Sequence, residues 1–593
     1  MEIAEQLGPD EEPRRERWLV RAELWLRGKL GPAAPALPLL LFLLSWLYLN
    51  AALNARLWVE DGLLLAALTP SPEALGALAL LCALAFAGRK PRPALLLLVT
   101  LLLGVLRLAY LPEEVMQLVW ARPFELHPDG GLFWDAVTVL AERIDMGTIV
   151  LVIAASSASA AVIAFFARQA LALSSNFFSE KRARVGFAVA AGLLAALGLA
   201  GALPFGASLA WEAGRQVASR LGAADRRGEV ALEIENARDR SRLGPETLAG
   251  LEGRHVLLVF VESYSAGALT RPGASARLRT VLEELSREVG EDGWHARSAL
   301  LESPDVSGIS ELAQVTVLAG VPIASRSDLG QLRATDLRTL AHRFGSSGYR
   351  TARALPGETR ERRADAPGAD PTVGFHMDYF AWRLGYQGPA FGASPMPDQF
   401  VLDRLFRLEL EDAEEPVFAM VALTGSQAPF DRQPPYVQDW STVGDGALFS
   451  ELEPAGFEVS FPELEGAEGP WVASLESSIR VLGRFLVEVV PDRPERGRGR
   501  RRRRPRPEPL VLVLGDHPPP APVAGRSDPP LVPAHAFCRD EAVLEPFAQR
   551  AWAEGTMPAT SPPFERTATL RWLLETAFGV TPESEEGGEP DVR

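Results

Sequence analysis

The chain is 593 residues long, carries a formal net charge of −16 and is 47% hydrophobic. An acidic balance of that size argues against general nucleic-acid binding. Its two cysteines, Cys82 and Cys538, exclude a disulfide framework, so stability must come from core burial, which the length permits.

A charged segment, 1–33, comes first and reads as cytoplasmic. Long Leu and Ala runs then dominate up to about residue 210, and the roughly 380 residues that follow have the composition of a soluble domain. The first apolar run is followed by others, so it reads as a span rather than a cleavable signal peptide. About five runs approach the roughly 20 residues needed to cross hydrocarbon: 34–53, 64–87, 93–110, 148–170 and 185–209, a membrane domain over 34–210. Pro70 and Pro72 interrupt the second run. Arg14, Arg15, Arg17, Arg21, Arg27 and Lys29 precede the first run, Arg89, Lys90 and Arg92 separate the second from the third, and Arg168, Lys181, Arg182 and Arg184 flank the loop after the fourth. Loops 54–63 and 111–147 are poor in basic residues. Basic loops stay on the cytoplasmic side, which places the N-terminus there and everything after residue 210 outside. The span interiors lack acids, so the helices read as an anchor.

Segment 211–250 reads as a juxtamembrane helical linker. Across 251–580, apolar β-prone runs at His255–Val261, Tyr349–Leu355, Val417–Leu423 and Leu510–Leu514 alternate with helical patterns such as 331–347 and 472–490. That alternation predicts an α/β domain with a largely parallel sheet flanked by helices. Such sheets bind ligands beyond the carboxyl ends of their strands. There lie Glu262-Ser263-Tyr264, Pro356 to Arg360, Thr424-Gly425-Ser426-Gln427 and Gly515-Asp516-His517. An Arg-rich insertion, 493–507, is either a solvated loop or a contact for anionic head groups. An acidic tail, 581–593, is expected to be disordered.

Glu262, Asp516 and His517 combine two carboxylates and an imidazole, a donor set suited to a divalent cation such as zinc or manganese. Between the first two apolar runs, S-P-D-V-S-G-I-S-E-L-A-Q-V-T-V-L-A-G (303–320) predicts a Gly-containing turn opening a helix with Ser310 at its start. A serine there either caps the helix or, beside a metal, serves as a nucleophile favoured by the free amides of the helix N-terminus.

The order V-x-V-E-S-Y, then S-G-I-S-E-L-A-Q-V-T-V-L-A-G, then V-L-G-D-H resembles the alkaline phosphatase/sulfatase superfamily. Within it the chain looks most like the membrane-anchored branch of lipoteichoic acid synthases and phosphoglycerol or phosphoethanolamine transferases. R-T-L-A-H-R-F-G-S-S-G-Y-R and P-M-P-D-Q-F look like the same branch. The resemblance implies about five N-terminal helices, an extracytoplasmic alkaline phosphatase-like domain and a bacterial inner-membrane location. It also implies a manganese or zinc ion, a phospholipid donor and an envelope glycan or lipid acceptor. Carried onto this chain, it makes Glu262, Asp516 and His517 metal ligands and Ser310 both ligand and nucleophile, with Ser307 as the rival serine. Arg360 falls where an arginine meets the head group. His535, in V-P-A-H-A-F, is either a further substrate-binding histidine or a structural one.

Two departures stand out. Leu312 and Gln314 occupy the positions where sulfatases need Pro or Ala and Arg for formylglycine formation, which removes sulfatase activity. Relatives also often read S-H-A-P where this chain has Ser426-Gln427-Ala428-Pro429, and glutamine binds phosphate oxygen but transfers no proton. A catalytically degenerate envelope protein and a phosphodiesterase releasing the group to water are therefore the alternatives to a transferase.

Overall fold

The computed structural model describes residues 25, 29, 36–54, 62–120, 124, 146–200, 205–206, 208–245, 247–304, 308–357, 373–457, 468–490, 507–520, 523 and 530–580. Ser307, Arg360, the Arg-rich insertion except Pro507, the acidic tail and nearly all of 1–33 lie outside them. The chain divides into two compact units, Met1–Val115 with Phe133–Ala218, and Met116–Leu132 with Ser219–Arg593.

Apolar helices build the first unit: α1 (Leu37–Leu53), α2 (Leu63–Leu68), α3 (Pro72–Phe86), α4 (Pro93–Trp120), α5 (Met146–Phe177) and α6 (Lys181–Leu199). Among the described residues, four segments are long and apolar enough to cross a membrane: Leu63–Phe86, Pro93–Glu114, Ser157–Phe177 and Lys181–Leu199. The first expected span forms α1, which at 17 residues is the short member of the set. The last expected span is displaced, because α6 starts at Lys181 and stops at Leu199, ahead of Gly201 and Pro204, rather than running to 209. The third runs past its expected end at 110, so the segment takes in Glu114, which pairs with Arg107 at 2.6 Å.

The prolines break the second span as their chemistry requires, α2 ending before Pro70 and α3 starting at Pro72. Broken backbone in hydrocarbon needs partners, and α1 supplies them. Asn54 Nδ2 donates to the carbonyls of Ala66 (3.2 Å) and Thr69 (2.7 Å), and Asn50 Oδ1 accepts from Ser71 N–H (3.0 Å). The unit's core gathers Leu49, Leu78, Leu171 and Phe178, with Phe42 stacked on Phe177.

In the second unit, one mixed sheet is built from β1 (Val256–Val261), β2 (His295–Glu302), β3 (Arg350–Leu355), β4 (Met377–Phe380), β5 (Val417–Leu423), β8 (Leu510–Gly515), β9 (Leu531–Cys538) and β10 (Ala553–Glu554). A short separate pair, β6 (Arg432–Gln433) and β7 (Ala455–Gly456), lies off it, and β11 (Glu565–Arg566) joins β2. The strand order is β10-β2-β9-β8-β1-β5-β3-β4. From β8 to β4 all pairings are parallel, as expected, whereas β9 runs antiparallel to both β8 and β2.

The helices used below are α7 (Leu209–Leu243), α8 (Pro272–Glu291), α9 (Ser310–Ala319), α10 (Asp398–Leu405), α11 (Glu468–Arg484) and α12 (Thr569–Phe578). The run V-L-L-V-F-V of β1 is apolar throughout because successive side chains feed opposite layers. Leu257, Val259 and Val261 join Leu282 of α8 and Leu475 of α11, while Val256, Leu258 and Phe260 join Leu573 of α12. The result is a sheet between two helical layers, open for chemistry only where strands end.

Candidate metal centre

Strands β1 and β8 are neighbours in register, with Val261 opposite Gly515. The residue after each strand is a carboxylate, so Glu262 and Asp516 emerge side by side at one rim. Gly515 lets the two turns close up, since a Cβ there would lie 1.8 Å from the Tyr264 carbonyl oxygen. Ser263 adopts a left-handed backbone (φ 57), which aims its N–H at Asp516 Oδ1 (2.9 Å); His517 N–H donates to the same oxygen (2.7 Å). Glu262 is held from behind by the Ser426 hydroxyl, which donates to its carbonyl at 2.5 Å.

Ser310 is the first residue of α9, one position past the N-cap, which is Ile309. The Ser310 hydroxyl donates to Glu262 Oε2 at 2.9 Å and lies 3.4 Å from His517 Nε2. His517 Nε2 is 3.1 Å from Glu262 Oε1 and 3.5 Å from Asp516 Oδ2. The other ring nitrogen, Nδ1, donates to the Pro518 carbonyl (2.9 Å), which orients the ring with Nε2 towards the carboxylates. Glu262, Asp516 and His517 are buried, with one ligand atom each within 4.8 Å of the others.

Burial, then the charge of Glu262, pushes the Asp516 carboxyl up to about 8. Burial also opposes ionisation of Glu262, yet His517 and the Ser310 hydroxyl together hold that carboxyl below its usual range. Two buried carboxylates around one imidazole thus share a proton that a divalent cation would replace, and the donor set fits such an ion.

The other sequence-predicted residues fall as follows. His535 sits in the middle of β9, opposite Ser298, with its ring bonded to Ser298 Oγ (2.7 Å) and the Tyr264 hydroxyl (3.0 Å). Ser298 Oγ also donates to the Gly555 carbonyl, so it accepts from His535 Nδ1–H, and Nε2 accepts from Tyr264. Burial depresses this imidazole to about 3, which keeps it neutral. His535→Ala is expected to lower unfolding free energy by about 1–3 kcal/mol through the stranded Tyr264 and Ser298 hydroxyls, with zinc affinity unchanged. Denaturant titration and a zinc titration check both halves, and a large zinc defect would return His535 to the site. Gln427 is half-buried in the turn after β5, its N–H donating to the Thr424 carbonyl.

One residue emerges only from the structure. Asp398, at the start of α10, is fully buried and accepts from Gly425 N–H (2.9 Å) and Ser478 Oγ (2.6 Å), anchoring the turn that carries Ser426 and Gln427. Burial raises its carboxyl to about 6. Its sequence signal was the P-M-P-D-Q-F stretch, which resemblance marked without giving it a role.

At its far end α9 stops at Gly320 (φ 67), where a Cβ would lie 2.7 Å from the Trp572 ring and 2.9 Å from Arg571 Cδ. Gly320→Ala is expected to cost about 1–2 kcal/mol from the backbone alone, more once the ring is displaced, as read by chemical denaturation.

No family model matches the chain, and no curated protein matches it. Among solved structures it is similar to the lipoteichoic acid synthase LtaP from Listeria monocytogenes (14% identity, 56% of this chain and 73% of that chain, TM-score 0.34). It is also similar to an alkaline phosphatase superfamily protein from Vibrio parahaemolyticus (14%, 55% and 66%, TM-score 0.33). A third is the zinc complex of the C-terminal periplasmic domain of EcEptC from Escherichia coli (16%, 55% and 82%, TM-score 0.34). Roles of individual residues rest on this chain's own geometry.

Proposed function

We propose that the chain is a membrane-bound, metal-dependent phosphotransferase. It moves a phospho-head group, phosphoglycerol or phosphoethanolamine, from a membrane phospholipid to an envelope acceptor through Ser310. The observation that carries this reading is the hydrogen bond from Ser310 Oγ to Glu262 at the head of α9. A capping serine turns to the amides of its own helix, whereas this one turns to a buried carboxylate beside His517. The motif order in the sequence and the four membrane-capable helices support the same reading.

Glu262, Asp516, His517 and Ser310 would hold the cation, manganese or zinc, which when bound supplies positive charge next to the serine and phosphoryl oxygens. Glu262 Oε2 takes up the Ser310 proton along the existing hydrogen bond. Ser310 Oγ then bonds to phosphorus as the bond from phosphorus to the glyceride oxygen breaks, and diacylglycerol leaves with the proton that Glu262 took from Ser310. The amides opening α9 face the developing negative charge. Gln427 donates to a phosphoryl oxygen, and Arg360 is assigned to the head group. An acceptor hydroxyl next bonds to phosphorus as the bond from phosphorus to Ser310 Oγ breaks, its proton passing through Glu262 to the serine oxygen, which regenerates Ser310; water in its place makes the chain a phosphodiesterase. The domain works outside a bacterial inner membrane whose cytoplasmic side holds the N-terminus.

Gln427 motivates the second reading, a catalytically degenerate scaffold that binds metal or phospholipid, because glutamine cannot protonate the leaving oxygen. Full-length protein in detergent, loaded with manganese or zinc and given head-group-labelled phosphatidylglycerol or phosphatidylethanolamine, separates the two. Diacylglycerol together with label bound to protein supports the transferase. Metal-loaded protein that releases diacylglycerol from neither lipid supports the scaffold.

A further inference from the structure

Every residue from Leu312 to Ala319 of α9 is buried, so the position of Ser310 is set by what packs around this one helix. One wall is α7, the helix that follows the membrane segments in sequence. Its Val230, Ile234 and Ala237, spaced 4 and 3 apart, present one apolar face that shares a core with Leu312, Val315 and Ala319 of α9. Ser241, one turn beyond Ala237, is buried as well.

The carboxyl ends of α7 and α9 meet at a polar knot. Arg571 of α12, fully buried, donates to the Ala319 carbonyl (2.6 Å), the Arg338 carbonyl (2.6 Å), Ser241 Oγ (2.9 Å) and Glu575 Oε1 (2.9 Å). Arg343 donates to the Ser241 carbonyl at 2.5 Å. Two guanidinium groups thus satisfy the last carbonyls of two helices, where the dipoles are negative. Beside them Trp572 Nε1 donates to the Gly320 carbonyl (2.9 Å), and Arg240 of α7 stacks over the same ring at 4.4 Å.

We propose that α7 from Val230 onward, clamped through Arg571, is a positioning element for the nucleophile: it fixes α9, and α9 presents Ser310 to Glu262. The assignment rests on the reading of Ser310 given above. Glu262, Asp516 and His517 stand on strand ends and make no use of the clamp, so a displaced Ser310 still leaves the three-residue donor set for the metal.

The test uses full-length Ile234→Arg/Ala237→Arg and, as a milder change that keeps the charge but loses the planar fork, Arg571→Lys. Hydrogen exchange of the α9 amides, zinc affinity and head-group turnover are read for each. In the double variant, α9 exchange is expected to accelerate by about tenfold or more. Turnover is expected to fall about 100-fold, the scale of an ångström misplacement, with KM held and zinc still bound by Glu262, Asp516 and His517, its affinity lowered by far less than turnover. Arg571→Lys is expected to shift both readouts the same way by less. Unchanged α9 exchange overturns the clamp, as does faster exchange with wild-type turnover, or a parallel loss of zinc that marks general unfolding. If the wild type itself turns over neither lipid, the transferase reading fails, while α9 exchange still decides whether α7 holds that helix.

Discussion

Ser310→Ala is expected to abolish head-group release in a protein that remains folded and metal-loaded. The hydroxyl is half-buried and bonds to Glu262 at 2.9 Å, and no backbone amide of its own helix depends on it. Alanine is the best residue for a helix position, and the buried face of α9 starts only at Leu312. Stability should therefore change little. Glu262, Asp516 and His517 remain as a three-residue donor set. What disappears is the atom that takes the phosphoryl group, and nucleophile deletions of this kind cost on the order of 10⁴-fold or more. Single-turnover assays with labelled lipid, run beside thermal unfolding and zinc titration, check the three parts together. Activity within a few-fold of wild type would remove Ser310 from the role and leave Ser307 as the serine to test.

Metal affinity is expected to rise with pH up to about 8 and to flatten above it. In the metal-free protein the Asp516 carboxyl is pushed up to about 8 by burial and by the charge of Glu262, so at neutral pH an incoming cation must displace a proton. One displaced proton gives about a tenfold gain in affinity per pH unit below that value. The same shift acts on folding. A carboxyl whose folded-state value is raised favours the fold below its ordinary value of 3.8 and loses that contribution as pH climbs to about 8. Glu262 is shifted the other way, so its contribution is lost only on acidification below its ordinary value of 4.5. Metal-free protein should accordingly become less stable from mildly acidic pH towards 8. Asp516→Asn keeps an oxygen to accept from Ser263 N–H and His517 N–H. The variant should lose metal affinity by more than the roughly 10–100-fold typical of an outer partner, along with the pH slope. It should also be more stable than metal-free wild type near pH 8. Calorimetric zinc titration and denaturant melts across pH check each expectation, and a pH-independent affinity would mean that Asp516 is already ionised.

What the sequence discloses follows from burial. β1, β5 and β8 are readable because both of their faces enter cores, which demands unbroken apolar runs. β2 and β9 are hidden for opposite reasons. H-A-R-S-A-L-L-E mixes charge into a strand buried on alternate residues, and L-V-P-A-H-A-F-C carries Pro533 and His535 although every residue of it is buried. A proline argues against a central strand, yet β9 pairs on both sides. β9 and β10 bring antiparallel pairings to a sheet that is otherwise parallel, as the alternation predicts. The trio at the rim was legible because strand ends are where such sheets do chemistry. The orientation of the Ser310 hydroxyl was not, since it turns on the helix starting one residue later than a capping serine needs, with Ile309 at the N-cap. Nor was Arg571, a charge in a helix whose burial depends on carbonyls contributed by segments far away in sequence.

The spacing of the proposed ligands along the chain has a consequence for maturation. Ser310 stands 48 residues from Glu262 and 207 from His517, so before β1 and β8 pair, only the adjacent Asp516 and His517 could hold a cation together. An ion that binds the assembled trio and hardly binds the open chain adds to native stability by mass action, about 2.7 kcal/mol when its free concentration is a hundred times its dissociation constant. Scarcity of the ion would then lower the stability of the protein as well as its activity, and the larger share of open chain would be exposed to proteolysis.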